Sequence, residues 1–202
     1  MASKIKKSVS ESSTDPRSIR SQEALASALL VLLESTPFEQ LSIRDIVAEA
    51  GIGYTTFFRH HATKEELLDA VAAEQIRCLF QLAVPALDKY DMHAGSTALF
   101  TYVHAHRRMW QTLLVGGAAG TVRAEFLRLA REVALQRGDP NAWLPTEIGT
   151  LLIVGGTLDL LTWWLRQASP LPIKRMVELH ERVVLKPVID ANARKLPQKR
   201  KA

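Results

Sequence analysis

Tyr54, Thr55, Phe58 and Arg59 fall at i, i+1, i+4 and i+5, so on a helix they share one face. Two rings, a methyl-bearing hydroxyl and a guanidinium make an odd solvated surface but suit a nucleic-acid groove. Thr55 fits a thymine methyl or a base edge, and Arg59 fits guanine or a phosphate. The competing reading packs Tyr54 and Phe58 on neighbouring helices. Other residue types with chemical potential are less promising. His104 and His106 are two apart and diverge around a helix, adjacent His60 and His61 do no better, and no His-Glu-x-x-His occurs, so no metal is expected. Gly116-Gly117-Ala118-Ala119-Gly120 precedes a helical segment but lacks a preceding strand and a following Lys-Ser/Thr pair, so it reads as a loop. No Gly-x-Ser-x-Gly occurs, and no serine has a convincing His/Asp partnership. Neither a catalytic residue nor a cofactor is predicted.

The elements that must hold Tyr54 to Arg59 can be read from the flanking residues. Ser42 and Asp45 have the spacing of a helix start in which the serine caps and the carboxylate reaches back. Ile46 and Val47 give that helix an inward face. Gly51 supplies the left-handed residue that a tight stop between two helices needs. A second short helix fits 53–60. Two short helices over 42–50 and 53–60 with a glycine turn form a helix-turn-helix, whose second helix enters the major groove. Ile46, Val47, Ile52 and Phe57 are expected to pack against Leu25, Leu29 and Leu33 of a helix over 17–34.

The remaining segments also recur at helical spacing: 63–83 (stopped before Pro85), 96–114 (from a capping Ser96), 121–137, 145–168 and 173–193. No stretch sustains period-two alternation bounded by turn residues. The fold class is all-α, with about nine helices counting short ones.

Composition limits the alternatives. The chain has 202 residues, 47% apolar and 23% charged, which excludes a largely disordered or collagen-like chain. A lone cysteine, Cys78, excludes a disulfide framework and a cysteine-built zinc site, and fits a reducing compartment. The net charge of +5 invites nucleic acid. Its distribution weakens that argument. Residues 1–20 hold five basic and two acidic side chains, 186–202 hold six and one, and 21–185 hold fifteen and eighteen. Any DNA contact through the body must come from local placement. The run 148–165 is the most apolar, but Asp159 interrupts it and Arg166 closes it, so a buried bundle or dimer helix is favoured over a membrane span. Residues 1–16 are polar and read as a flexible arm, and a cytoplasmic location is expected.

Ser42-Ile43-Arg44-Asp45-Ile46-Val47-Ala48-Glu49-Ala50-Gly51-Ile52-Gly53, then Thr56-Phe57-Phe58-Arg59-His60-His61, then Lys64-Glu65-Glu66-Leu67, resemble the DNA-binding domain of the TetR/AcrR family of bacterial regulators. The motif-level likeness covers about 17–75. It implies an N-terminal helix-turn-helix domain followed by a helical ligand-binding and dimerisation domain. The division is an arm at 1–16, a DNA-binding domain at 17–65, an effector-binding and dimerisation domain at 66–193, and a basic tail at 194–202. The implied function is a ligand-responsive repressor that binds a palindromic operator as a homodimer.

Beside the DNA-facing Tyr54, Thr55, Phe58 and Arg59 read from their shared face, the resemblance assigns phosphate roles to His60 and Lys64, with Ser42, Arg44 and Thr56 as further phosphate contacts. This chain departs from the family at three positions. Phe58 stands where a tyrosine usually meets a phosphate, Gly53 where a capping serine is usual, and His61 where a buried phenylalanine is usual. A small apolar or aromatic effector is implied, with Phe80, Tyr102, His106, Trp110, Phe126 and Trp143 as candidate pocket residues. The dimer interface would use the last two long helices, with Leu152, Gly155, Gly156, Leu160, Trp163, Trp164, Val177 and Val184. The alternative for that apolar helix is an internal core helix of a monomer. The alternative functions are a small-molecule-binding or scaffold dimer with weakened DNA binding, and an all-α enzyme.

Overall fold

The computed structural model describes residues 15–88, 91–137 and 142–193, with side chains outside 83–88 and 137. The expected arm and basic tail lie almost wholly outside these residues. Helix α1 (Pro16–Leu33) opens where Asp15 accepts a hydrogen bond from the Arg17 amide at 3.0 Å, with proline at its first position. A 3-10 turn (Phe38–Gln40) follows. Helix α2 (Ile43–Glu49) starts at the expected capping box: Ser42 Oγ accepts from the Asp45 amide, and Asp45 Oδ2 accepts from the Ser42 amide at 2.9 Å. The two Ser42 hydrogen bonds hold the Asp45 carboxyl below its usual range. Gly51 takes φ +64°, closing the turn into α3 (Tyr54–Phe58).

Helix α4 (Lys64–Asp88) runs through Pro85 instead of stopping before it. Proline removes one helical hydrogen bond, and the helix continues at that cost. The segment expected as one helix from Ser96 is two. Helix α5 (Met92–Ala105) is capped by Asp91, which accepts from the Ala94 amide at 2.9 Å. His106, at φ −114° and ψ 40°, breaks the helix before α6 (Arg107–Val115). Ser96 is buried inside α5 and hydrogen-bonds a side chain instead of capping. Helices α7 (Ala119–Arg137) and α8 (Thr146–Arg166) follow. The last rod is α9 (Ile173–Leu179), a π-helical segment (His180–Leu185) and α10 (Lys186–Asn192). Every helix and turn named here belongs to the described residues.

One apolar core runs the length of the protein. Leu25, Leu29, Ile46 and Phe57 are fully buried in the head formed by α1–α3. Leu67, Val71, Ile76 and Leu79 continue it along α4, and Phe100, Trp110, Leu161 and Trp164 fill the second domain. Each large buried side chain of this kind is worth about 1.5–3 kcal/mol. The long helix α4 therefore joins the two domains through packing as well as through the chain.

Candidate nucleic-acid interface

The five residues of α3 divide cleanly. Phe57 is fully buried, while Tyr54 and Phe58 are each 48% exposed. Thr55 and Arg59 are exposed and Thr56 is half-buried. Tyr54 and Phe58 meet edge to face at 5.3 Å, and Phe58 rests on Phe57 in the same way at 5.4 Å. The outward rings are held by a buried ring behind them. Gly53, at the N-cap, offers the helix no side-chain acceptor.

Around α3 the expected phosphate contacts have varied settings. Arg44 is exposed on α2. Ser42 is exposed, but its hydroxyl donates to Asp45 Oδ2 at 2.6 Å. His60 turns its Nε2 into the protein, where no described residue accepts or donates to it. His61 is half-buried beside Phe57 at 5.9 Å, and burial followed by the neighbouring His60 lowers its pKa. Lys64 is engaged within the protein. Its Nζ donates to the Phe38 and Leu41 carbonyls at 3.0 and 2.8 Å and sits 4.7 Å from the Phe38 ring centre. The ammonium fastens the 3-10 turn to the start of α4, which makes Lys64 a positioning residue for the head. A free phosphate would compete with those carbonyls.

A junction that sequence reasoning missed lies on α6. Arg107 Nη2 donates to the carbonyls of Trp164, Leu165 and Gln167 at 3.0, 2.9 and 3.1 Å, and Gln111 Nε2 donates to Leu165 O at 2.8 Å. Leu165 O and Gln167 O lie beyond the last helical hydrogen bonds of α8, while Trp164 O also accepts from the Gln167 amide at 3.3 Å. Adjacent Arg108 donates to the Glu34 carbonyl, at the C-cap of α1. One helix thus grips both the head and the end of α8. The signal was an arginine pair in the first turn of a helix, where the macrodipole disfavours cations. Reading 96–114 as a single helix hid that first turn.

The candidate pocket residues form separate groups. Phe80 and Phe126 meet edge to face at 4.9 Å between α4 and α7. Tyr102 lies 4.8 Å from His106 and 6.3 Å from Trp110, and its hydroxyl donates to Gln75 Oε1 at 2.6 Å. Trp110 is fully buried, and its indole N–H has no acceptor among the described residues. Trp143 is 52% exposed. Of the six, only Tyr102 borders the open groove of about 680 Å³ between α4 and α5, which Leu82, Ala98 and Thr101 also line.

The candidate dimer residues also divide. Leu152 and Trp163 are 54% and 46% exposed, and Gly155 and Leu160 are half-buried. Trp164 is fully buried against Phe100, with its indole N–H on Leu171 O at 2.8 Å. Val177 and Val184 are buried as well. A Cβ on Gly156 would lie 3.0 Å from Val184 Cγ1, so that glycine admits the π-helical segment of its own chain. Trp164, Val177, Val184 and Gly156 are therefore interior positions. The exposed apolar surface of α8 is Ile148, Leu151, Leu152 and Trp163, with Val183 and Ile189 on the last rod.

Residues 25–71 match the family model described as bacterial regulatory proteins, tetR family. Over 62 residues the chain is 40% identical to an uncharacterized HTH-type transcriptional regulator, YxbF, of Bacillus subtilis strain 168. That match spans 30% of this chain and 16% of the relative's length. The fold resembles the dihydroxyacetone kinase operon activator DhaS at TM-score 0.60 and 16% identity, covering 87% of this chain and 97% of DhaS. It also resembles RolR without ligand at TM-score 0.59 and 18% identity, covering 87% and 98%. RolR has also been solved with resorcinol bound.

Proposed function

From the TetR-family DNA-binding domain matched over residues 25–71, we propose that the chain is a transcriptional regulator of that family and not an enzyme. It binds a palindromic operator as a homodimer, with α3 of each protomer in a major groove. The observation that carries this reading is the exposed face of α3, Tyr54, Thr55, Phe58 and Arg59, on a head whose opposite side is fully packed. Selection of bound fragments from genomic DNA by the purified protein tests it. A palindromic motif is the expected result, and recovery of no enriched sequence would overturn it.

Dimerisation is supported by the apolar surface of α8 and the last rod. α8 is long and apolar enough to cross a membrane, yet 44% of its apolar window is buried inside the protein. Leu158, Leu161, Trp164 and Leu165 face the core, and a second copy would cover the other side. A soluble, cytoplasmic dimer is the reading this arrangement favours.

An effector bound within α4–α7 would bias the equilibrium between two spacings of the heads. The buried Trp110 N–H favours a small aromatic molecule bearing an acceptor oxygen, and RolR's resorcinol belongs to that class. Repression released by such an effector is the simplest scheme. Activation, as in DhaS, is the alternative that a reporter assay separates.

A further inference from the structure

We propose that α3 reads thymine 5-methyl groups through the Tyr54–Phe58 ring pair, with Arg59 as its one charged base-reading group; this rests on the DNA-binding reading above. A phenylalanine has no hydroxyl for a phosphate, so a half-exposed Phe58 can contribute only apolar contact. Its ring is fixed for that purpose. Tyr54 braces one edge at 5.3 Å and buried Phe57 braces the other at 5.4 Å, so little rotamer freedom is left to lose on binding. Thr55 adds a methyl beside the pair, on the same exposed face.

In the major groove the only apolar feature on a base pair edge is the thymine methyl, and phenylalanine and threonine methyls are its natural partners. The charge balance points the same way. Residues 42–64 hold three basic and two acidic side chains, and the Lys64 ammonium is already bound to carbonyls. Few phosphate contacts remain for α2 and α3, so apolar base contact carries a larger share of recognition than in a strongly basic head.

The test removes the methyl and nothing else. The operator recovered by selection is synthesised with deoxyuridine in place of thymidine, one position at a time, and titrated at fixed salt by fluorescence anisotropy. At one or more positions in each half-site, wild-type protein should bind the uridine duplex about fourfold more weakly, the ratio that corresponds to about 0.8 kcal/mol for one buried methyl. Phe58→Ala should bind the uridine and thymidine duplexes equally at those positions. Phe58→Leu, which keeps an apolar side chain, should retain part of the difference. Equal affinity of wild type for every uridine duplex overturns the inference while leaving DNA binding intact. So does a Phe58→Ala protein that still discriminates. Failure to recover any operator overturns the DNA-binding reading, and the inference with it.

Discussion

Lys64 has a task within the protein that its residue type does not announce. As a phosphate contact it would matter only on DNA. As a strap on the Phe38 and Leu41 carbonyls it matters to the free protein. Lys64→Met should therefore lower the unfolding free energy by about 1.5–3 kcal/mol, the range for hydrogen bonds to a charged group. Urea denaturation checks this. Unchanged stability, with a salt slope reduced by about one, would restore the phosphate role.

His180 is a second residue whose meaning came from its neighbours. Thr157 Oγ1 donates to Ile153 O at 2.6 Å, so it accepts from His180 Nε2–H at 2.9 Å. Nδ1 then accepts from the Ser96 hydroxyl at 2.8 Å, and the ring is neutral. Burial pushes its pKa down to about 4. Below its ordinary value near 6.5 the unfolded chain binds a proton that the folded chain refuses, so stability falls as pH drops from about 6.5 to about 4. The full loss is about 3 kcal/mol. His180→Gln should flatten this part of the pH profile in chemical denaturation, and an unaltered slope would count against it.

At the scale of elements, the two glycines of the helix-turn-helix should respond oppositely. Gly51 has open space around a Cβ but a left-handed backbone at φ +64°, so Gly51→Ala should destabilise by about 1 kcal/mol. Gly53 has ordinary extended backbone, and a Cβ there would meet Thr56 Oγ1 at 3.8 Å. Gly53→Ser should add a cap and stabilise by a few tenths of a kcal/mol. Paired melting curves read both signs. Helix α6 supplies the other prediction at this scale. Arg107→Met removes three hydrogen bonds from the end of α8, and Arg108→Ala removes the one to Glu34 O. Both variants should stay dimeric by sedimentation yet discriminate less sharply among operators with altered half-site spacing. Wild-type spacing preference in both would show that α6 does not set the position of the head.

For the whole molecule, the question is which surface of α8 is free. Leu152→Glu with Trp163→Glu changes exposed side chains only, so the protomer should fold while the dimer fails. Sedimentation should report a monomer, and operator affinity should fall by at least a hundredfold as bivalent binding is lost. A stable dimer would move the interface elsewhere. Trp164→Ala should instead cost about 3–5 kcal/mol of stability, as a core truncation does.

The helix-turn-helix was legible in sequence because its signals are local. The Ser42–Asp45 box, the Gly51 turn and the inward Ile46, Val47 and Phe57 each depend on neighbours within a few positions, and the structure has all of them. Helical period likewise identified the all-α class. What lay beyond reach depends on partners far along the chain. Period alone cannot say which side of α8 meets its own core, because Trp163 and Trp164 are equally apolar and differ only by a rotation of 100° about the helix. The Lys64 strap spans 26 residues to Phe38, the Arg107 clamp spans 57 to Trp164, and the Ser96–His180 bond spans 84. Such polar contacts carry no periodic signature, since one donor satisfies carbonyls that only folding brings within 3 Å of it. Local sequence determined the helix-turn-helix; the tertiary structure decided how that element is held and which apolar surface of α8 is left exposed.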